Sequence, residues 1–214
     1  MDWVLLLSRL CIVVTIASNG GGIPIFVDII RKGTTHSVPF LPFLAGFVSN
    51  TACLGYAMLR ADSVLLIVSG VGITMSTIYV SLFLFFSCQK STTFKQLMFS
   101  GVGILCVYVY LTRIIREPYA VEIQLGLLVT FFITCMNIAP IADMGNLLKK
   151  QSSEGLSLSM ASAIFVTSVL WVLYGIAVND IALSVPSISG VVSGSIQYYL
   201  LWCYPSSGKA IKSE

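Results

Sequence analysis

Seven long apolar runs constrain the fold of this chain more than any other feature. A transmembrane helix needs roughly 20 predominantly apolar residues. Only 10% of the 214 residues are charged, against about 25% in soluble domains, and the period-two alternation of a membrane β-barrel is absent. The sequence therefore predicts an all-α membrane protein with seven transmembrane helices, which cover approximately residues 4–30, 38–59, 63–87, 97–112, 121–148, 156–178 and 181–204.

The distribution of lysine and arginine predicts how these helices are oriented. Cytoplasmic loops of membrane proteins carry an excess of both residues. One side of the predicted membrane collects eight of them, and the other side collects Arg9, Arg60, Arg113 and Arg116. We therefore expect the N-terminus outside and the C-terminus in the cytosol, with the plasma membrane favoured over an intracellular membrane. Because no basic face is clustered, nucleic acid is not expected as a partner.

No residue pattern in the sequence indicates catalysis or metal binding. The six cysteines include no CxxC pair, which is the short spacing typical of zinc and redox sites. An HExxH motif and paired intramembrane acids are absent as well. We therefore expect no metal, no cofactor and no enzymatic activity.

An internal repeat relates the two ends of the chain. The stretch YAMLRADSVLLIVS at 56–69 is echoed by YGIAVNDIALSVPS at 174–187, an offset of 118 residues, and Pro24 is echoed by Pro140 at an offset of 116. We therefore predict a first three-helix bundle at 1–90, a linker helix at 91–118, a second bundle at 119–205 and a short cytosolic tail at 206–214. Because a single linker helix restores the membrane orientation, the two repeats are predicted to be parallel, with a ligand near the midplane between them.

The chain resembles the SWEET family of sugar uniporters, within the wider group of PQ-loop proteins, over about residues 4–204. The resemblance is carried by PFLPFLAGFVSNTACLGYAMLRADS in the first half, and by NIAPIADMGNLLKKQSSEGLSLSM and TSVLWVLYGIAVND in the second. It implies facilitated diffusion of mono- or disaccharides across the bilayer by alternating access, without a cofactor or a coupled ion. It also implies side-by-side assembly into a homotrimer.

The resemblance further implies a sugar-binding set made of Ser69, Ser187, Trp171 and Cys53. Trp171 falls on the family's pocket tryptophan, whose indole face suits the C–H face of a pyranose ring, and Cys53 is its counterpart in the first half. Ser69 and Ser187 occupy equivalent positions in the third and seventh helices, where the family has asparagine. Serine still donates and accepts a hydrogen bond, but the other use of small polar residues in membranes is close helix packing.

The resemblance also implies that several prolines are hinges and that a second set of residues forms an outer gate. Pro24, Pro42 and Pro140 match the family's hinge prolines, whereas Ser157 or a neighbour replaces the one in the sixth helix. A static kink is the alternative, because proline is common in membrane helices. The outer gate is expected at Tyr56, Tyr174 and Asp180, although tyrosines also form interfacial belts and Asp62 and Asp180 suit helix N-caps.

Two other functions fit the sequence less well. One is a proton-coupled PQ-loop transporter of another small solute, such as a cationic amino acid, using Asp143 or Asp180. The Pro-Gln pair of that group is absent, since Pro24 and Pro140 are both followed by Ile. The other is a seven-helix receptor, whose two halves would have no need to repeat.

Overall fold

All regular structure in the described residues is helical. The computed structural model describes residues 2–35, 38–87, 89–115, 117–150 and 158–204, without the side chains of residues 2, 139–150 and 160. The helices are α1 (Asp2–Asn19), α2 (Ile23–Lys32), α3 (Leu41–Arg60), α4 (Ser63–Phe86), α5 (Lys90–Val109), α6 (Pro118–Lys150), α7 (Leu158–Ala177) and α8 (Ile181–Cys203).

Five described segments are long and apolar enough to cross a membrane, namely Trp3–Lys32, Leu41–Arg60, Ser63–Phe86, Lys90–Ile115 and Pro118–Ile138. α7 contains a shorter apolar stretch, Ala161–Ala177. α8 is 23 residues long and buries several polar side chains, including Ser187, Ser193 and Gln197. With α1 and α2 forming one span, these elements make the seven transmembrane helices that the sequence predicts.

The first predicted span is a broken helix. A 3₁₀ segment, Gly20–Gly22, separates α1 from α2, and the N–H of Ile23 donates to the Gly20 carbonyl. Pro24 lies in the first turn of α2, where a proline costs no helical hydrogen bond because the first N–H groups have no intrahelical partner. The break therefore begins before Pro24, the residue at which the family resemblance implies a hinge.

Two equivalent turns join α3 to α4 and α7 to α8. Ala61 and Asn179, which are 118 residues apart, have left-handed backbones with φ of 51° and 53°. The next residue in each turn is an aspartate that caps the following helix. The Asp62 carboxylate accepts from the N–H of Val64 at 2.9 Å, and that of Asp180 accepts from Ala182 at 2.9 Å. The sequence repeat is therefore also a repeat of local backbone structure.

The chain divides into two compact units. The first comprises Ser8–Phe132, and the second comprises the described residues from Ile133 onward with those before Ser8. α3 packs on α4 in the first unit, and α7 packs on α8 in the second. The core of the first unit includes a cluster of Phe26, Ile29, Tyr79 and Phe83. The domain boundaries drawn from the sequence stay a prediction.

The predicted fourth span is α5 together with a π-helical turn, Tyr110–Ile115. Near the start of α6, an ion pair joins Arg60 Nη1 to Glu122 Oε1 at 2.9 Å. Both side chains are about one-third exposed, so the contribution of this pair to stability is small, about 0–1 kcal/mol. It nevertheless fixes the end of α3 next to the first turns of α6.

Candidate functional site

The first unit holds two of the predicted sugar-binding residues, and both are buried. Cys53 lies on α3 and Ser69 on α4, with 7% and 1% of their surfaces exposed. Within the described residues, the structure records no hydrogen bond of the Ser69 hydroxyl. Most buried polar groups in proteins have a hydrogen-bond partner. The Ser69 hydroxyl is therefore available to donate to, or accept from, a bound solute.

A carboxamide lies one turn from Ser69. Asn50 on α3 donates from Nδ2 to the Gly46 carbonyl at 2.8 Å, and its Oδ1 occupies the space where a Cβ at Gly72 would stand. Because a carbonyl can only accept, the bond to Gly46 fixes which end of the carboxamide is nitrogen. Gly72 and Ser69 are three residues apart, so they lie on the same face of α4. Because Gly72 has no side chain, Asn50 can pack against that face of α4.

The second unit holds Trp171 and Ser187. Trp171 on α7 is only partly buried and meets Tyr174 edge-on, with ring centroids 5.7 Å apart and an interplanar angle of 90°. Ser187 is 7% exposed, and its hydroxyl donates to the Leu183 carbonyl at 2.7 Å. Its single proton is thereby used, so Ser187 can only accept from a solute, whereas Ser69 can also donate.

A polar cluster surrounds the α8 turn that carries Ser187. Asn137 on α6 donates to the Pro186 carbonyl at 3.1 Å and to Ser189 Oγ at 3.3 Å. Ser168 on α7 lies where a Cβ at Gly190 would stand. Gly190 is the repeat equivalent of Gly72, so a polar side chain from a neighbouring helix packs on the same glycine in both halves.

The predicted gate residues are buried side chains at the ends of α3, α7 and α8. Tyr56 and Tyr174 are each 4% exposed and Asp180 is 5% exposed. The Asp180 carboxylate serves as the N-cap of α8, and its carbonyl accepts from the Ser184 hydroxyl at 2.9 Å. Capping is thus an observed role of Asp180, and the gating role stays a prediction.

The predicted hinge prolines have different settings. Pro42 lies in the first turn of α3, where it removes no helical hydrogen bond. Pro140 lies inside the 33-residue helix α6, and its side chain is outside the described residues, as are Ser157 and the side chain of Asp143. The hinge roles stay predictions.

Asp28, the other acid near the predicted inner rim, accepts a hydrogen bond from Lys32 Nζ at 2.8 Å on the exposed face of α2.

A cavity of about 520 Å³ in the first unit contains none of the predicted site residues. Its walls come from α3, α5 and α6 and are mostly aliphatic and aromatic, including Leu44, Val48, Ile104, Leu125 and Phe132. The hydroxyl of Thr51, one of its few polar groups, donates to the Phe47 carbonyl at 2.8 Å. Because a sugar needs several polar partners, this cavity does not suit one. In the described part of the chain, no cluster of His, Cys, Asp and Glu suits a metal ion.

Several residues that shape these sites are not predicted from the sequence. The turns that carry Ser69 and Ser187 are surrounded by Asn50, Asn137 and Pro186. The broken first span is contacted by Tyr79. The 118-residue offset contains a signal for one of them, since it pairs Asn50 with Ser168. No sequence signal pairs Tyr79 with the first span, because 60 residues separate it from its hydrogen-bond partner.

Comparison with known proteins identifies the family. Residues 5–91 and 123–209 each match the family described as "Sugar efflux transporter for intercellular exchange". The chain is 30% identical to "Sugar transporter SWEET1" of Xenopus tropicalis over 205 residues, which are 96% of either chain. It is 31% identical to the protein of that name from Danio rerio, covering 95% of this chain and 93% of the relative. It is 26% identical to "Bidirectional sugar transporter SWEET11" of Arabidopsis thaliana, covering 94% and 71%.

The fold is also that of a solved protein. A structure of a eukaryotic SWEET transporter superposes with a TM-score of 0.81 at 22% identity, covering 93% of this chain and 98% of the other. The two matched segments correspond to the two halves of the 118-residue repeat, and they leave out the region of the linker helix. The chain therefore belongs to the SWEET family, as a membrane protein of seven helices built from two copies of the family's repeat.

Proposed function

We propose that this protein is a sugar uniporter, which lets a mono- or disaccharide diffuse down its concentration gradient by alternating access. The observation that carries the proposal is the buried Ser69 hydroxyl, which has no hydrogen-bond partner among the described residues. Leaving such a group unpaired in a membrane helix costs about 1–3 kcal/mol. A sugar hydroxyl would remove that cost whenever the solute is bound.

The other predicted contacts supply chemistry that a sugar requires. Among the four predicted binding residues, Trp171 is half-buried and the other three are buried. Its indole offers an apolar face to the C–H groups of a sugar ring. Ser187 offers an acceptor, and Cys53 lies at the repeat position equivalent to Trp171. Sugar sites in proteins combine such apolar faces with a few placed polar groups.

The proposal includes the moving parts that the family resemblance implies. The bend before Pro24, together with Pro42 and Pro140, is proposed to permit rocking, and Tyr56, Tyr174 and Asp180 are proposed to close the outer side. We further propose that the N-terminus lies outside and the C-terminus in the cytosol, in the plasma membrane, and that the protein assembles as a homotrimer. The distribution of Lys and Arg supports the orientation, and family membership alone supports the trimer.

The decisive experiment is the flux of labelled glucose into proteoliposomes, with and without an imposed pH gradient. We expect flux that follows the glucose gradient and is unchanged by pH, because a uniporter couples to no ion. Galactose and sucrose, assayed in the same vesicles, define which sugar is preferred. Empty liposomes measure leakage.

Two results would contradict the uniporter. Glucose flux that rises only with an acid-outside gradient would indicate proton coupling and make Asp28, Asp143 and Asp180 the residues to substitute. No flux of any of the three sugars would move the search to other solutes, beginning with cationic amino acids under the same gradient.

A further inference from the structure

The break in the first span changes the hydrogen bonding of the Asn19 backbone carbonyl. In a continuous α-helix, the Asn19 carbonyl would accept from the N–H of Ile23. That N–H instead donates to the Gly20 carbonyl, because the segment Gly20–Gly22 is 3₁₀ helix. In the 3₁₀ pattern the Asn19 carbonyl pairs with the N–H of Gly22, three residues later, and its second lone pair stays available to a donor from another helix.

Tyr79 on α4 supplies that donor. Its hydroxyl donates to the Asn19 carbonyl at 3.2 Å. Its ring stacks on Phe26 of α2, with centroids 3.6 Å apart and an interplanar angle of 6°. Phe43 on α3 forms a T-shaped contact with the same ring, with centroids 5.5 Å apart. One side chain therefore holds both sides of the break, Asn19 at the end of α1 and Phe26 in α2.

The space for this contact comes from Gly22. A Cβ at Gly22 would stand 2.9 Å from the Tyr79 hydroxyl oxygen and 3.3 Å from a ring carbon of Phe26. A Cβ at the neighbouring Gly21 would meet no atom within 4 Å. The two glycines belong to the same 3₁₀ segment, but only Gly22 must be small for Tyr79 to reach Asn19.

The second half of the chain has a different arrangement. The residue equivalent to Tyr79 at the 118-residue offset is Gln197, whose Nε2 lies 3.5 Å from Ser193 Oγ on its own helix. α6, the counterpart of the first span, runs without a break from Pro118 to Lys150. The contact of Tyr79 with Asn19 and Phe26 forms a clamp across the break. Within the part of the chain that the structure describes, this clamp belongs to the first repeat alone.

We infer that Tyr79 is a positioning residue of the transport cycle, which holds the first-span hinge in the bent conformation of this structure. The inference rests on the proposed function, since it assumes that this hinge moves when the protein transports a solute. Breaking the bond between Tyr79 and Asn19 favours other conformations of the hinge, and this changes the balance between the two states of the empty transporter.

Tyr79→Phe tests the inference, because it removes the hydroxyl and keeps the stacked ring. In cells, where the protein has one orientation, we expect the ratio of half-saturation constants for sugar entry and sugar exit to change about two- to ten-fold, the effect of losing one hydrogen bond. A loss of folded protein would instead lower both maximal rates and leave both half-saturation constants unchanged. An unaltered ratio would overturn the inference.

The glycine pair provides the matched control. Gly22→Ala should shift the ratio in the same direction as Tyr79→Phe, and the double variant should differ little from either single variant, because both changes break the same contact. Gly21→Ala should resemble the unmodified protein. Equal effects of the two alanines would assign the result to the 3₁₀ backbone and overturn the role of Tyr79.

Hydrogen exchange separates this inference from the proposed function, because it needs no solute. In Tyr79→Phe we expect faster exchange of the backbone amides at residues 20–26, whether or not a sugar is transported. Faster exchange with an unchanged transport ratio would show a clamp that does not control transport, which contradicts the inference. Unchanged exchange would show that Tyr79 does not hold the break at all.

Discussion

The Ser69 hydroxyl is buried and has no hydrogen-bond partner among the residues that the structure describes, so its removal should affect folding and sugar binding in opposite ways. In Ser69→Ala the unpaired polar group is lost, so the thermal midpoint of the purified protein should stay unchanged or rise slightly. The half-saturation constant for sugar should increase about three- to thirty-fold, because one contact to a sugar hydroxyl is lost. Fluorescence-monitored unfolding and concentration-dependent uptake measure the two effects.

Ser81→Ala is the control for this change, since Ser81 lies on the same helix and is exposed. It should alter neither quantity. A lower thermal midpoint for Ser69→Ala with an unaltered half-saturation constant would show that Ser69 serves helix packing.

Trp171 offers a second test at the scale of a single residue. Trp171→Ala removes the proposed apolar wall for the sugar ring, and we expect uptake to fall at least tenfold while the protein still reaches the membrane. Trp171→Phe keeps an aromatic face and should retain part of the activity. Uptake in cells and surface biotinylation provide the two measurements.

Trp202 provides the matched tryptophan, since it lies near the end of α8 with 81% of its surface exposed. Trp202→Ala should transport sugar normally. Undiminished uptake in Trp171→Ala would remove Trp171 from the binding site and leave it as a packing partner of Tyr174.

The residues could be predicted from sequence only where a repeat or a family motif marked them. Ser69 and Ser187 were found through their common offset, and Trp171 through its place in SVLWVLYG. Tyr79 and Asn137 were not found, because their roles depend on hydrogen bonds to backbone carbonyls of other helices. Such acceptors exist at every residue, so the sequence contains nothing that marks one of them.

At the scale of helices, close packing at Gly72 explains why a glycine lies inside α4. The Asn50 carboxamide fills the place of the missing side chain, so Gly72→Ala forces Asn50 or the α3–α4 contact to shift. Overpacking of this kind typically costs 1–3 kcal/mol. We expect a thermal midpoint several degrees lower in detergent, measured by fluorescence or by loss of the monodisperse peak in size-exclusion chromatography.

Gly70 lies on the same helix, and a Cβ there would meet nothing within 4 Å. Gly70→Ala should therefore raise stability slightly, by up to about 1 kcal/mol, through helix propensity alone. In an Asn50→Ala background, where the obstructing carboxamide is gone, Gly72→Ala should lose most of its cost. A similar loss in both backgrounds would contradict the packing explanation.

The helices themselves were largely predictable, because apolar length and the 118-residue echo are both visible in the sequence. The left-handed residues Ala61 and Asn179 and the caps that follow them occur where the repeat places them. The sequence predicts the position of the break at Gly20–Gly22 only roughly, because the hinge prediction rests on Pro24. A proline in the first turn of a helix is compatible with that helix, so the break belongs to the glycines.

At the scale of the whole molecule, family membership settles that the chain is a transporter and not an enzyme, as its lack of catalytic motifs predicts. The two matched segments account for two repeats of three helices each. Because α8 contains many polar residues, hydropathy alone is a weak guide to this last transmembrane helix. Which sugar is transported depends on a few side chains of the binding site, so substrate preference is a property of single residues and not of the whole chain.

Membrane orientation is the property of the whole chain that its charge distribution predicts. Lys and Arg are retained on the cytosolic side of a membrane during insertion, and eight of the twelve are predicted to lie on the side that carries the C-terminus. An epitope tag attached after Glu214 should therefore bind antibody only in permeabilised cells, whereas a tag before Met1 should bind antibody on intact cells. An antibody to a cytosolic protein checks that the intact cells are sealed.

The predicted orientation also places the Arg60–Glu122 ion pair on the outside, where raising external salt should screen it. Antibody binding to the C-terminal tag on sealed cells would reverse the orientation and assign Tyr56, Tyr174 and Asp180 to an inner gate.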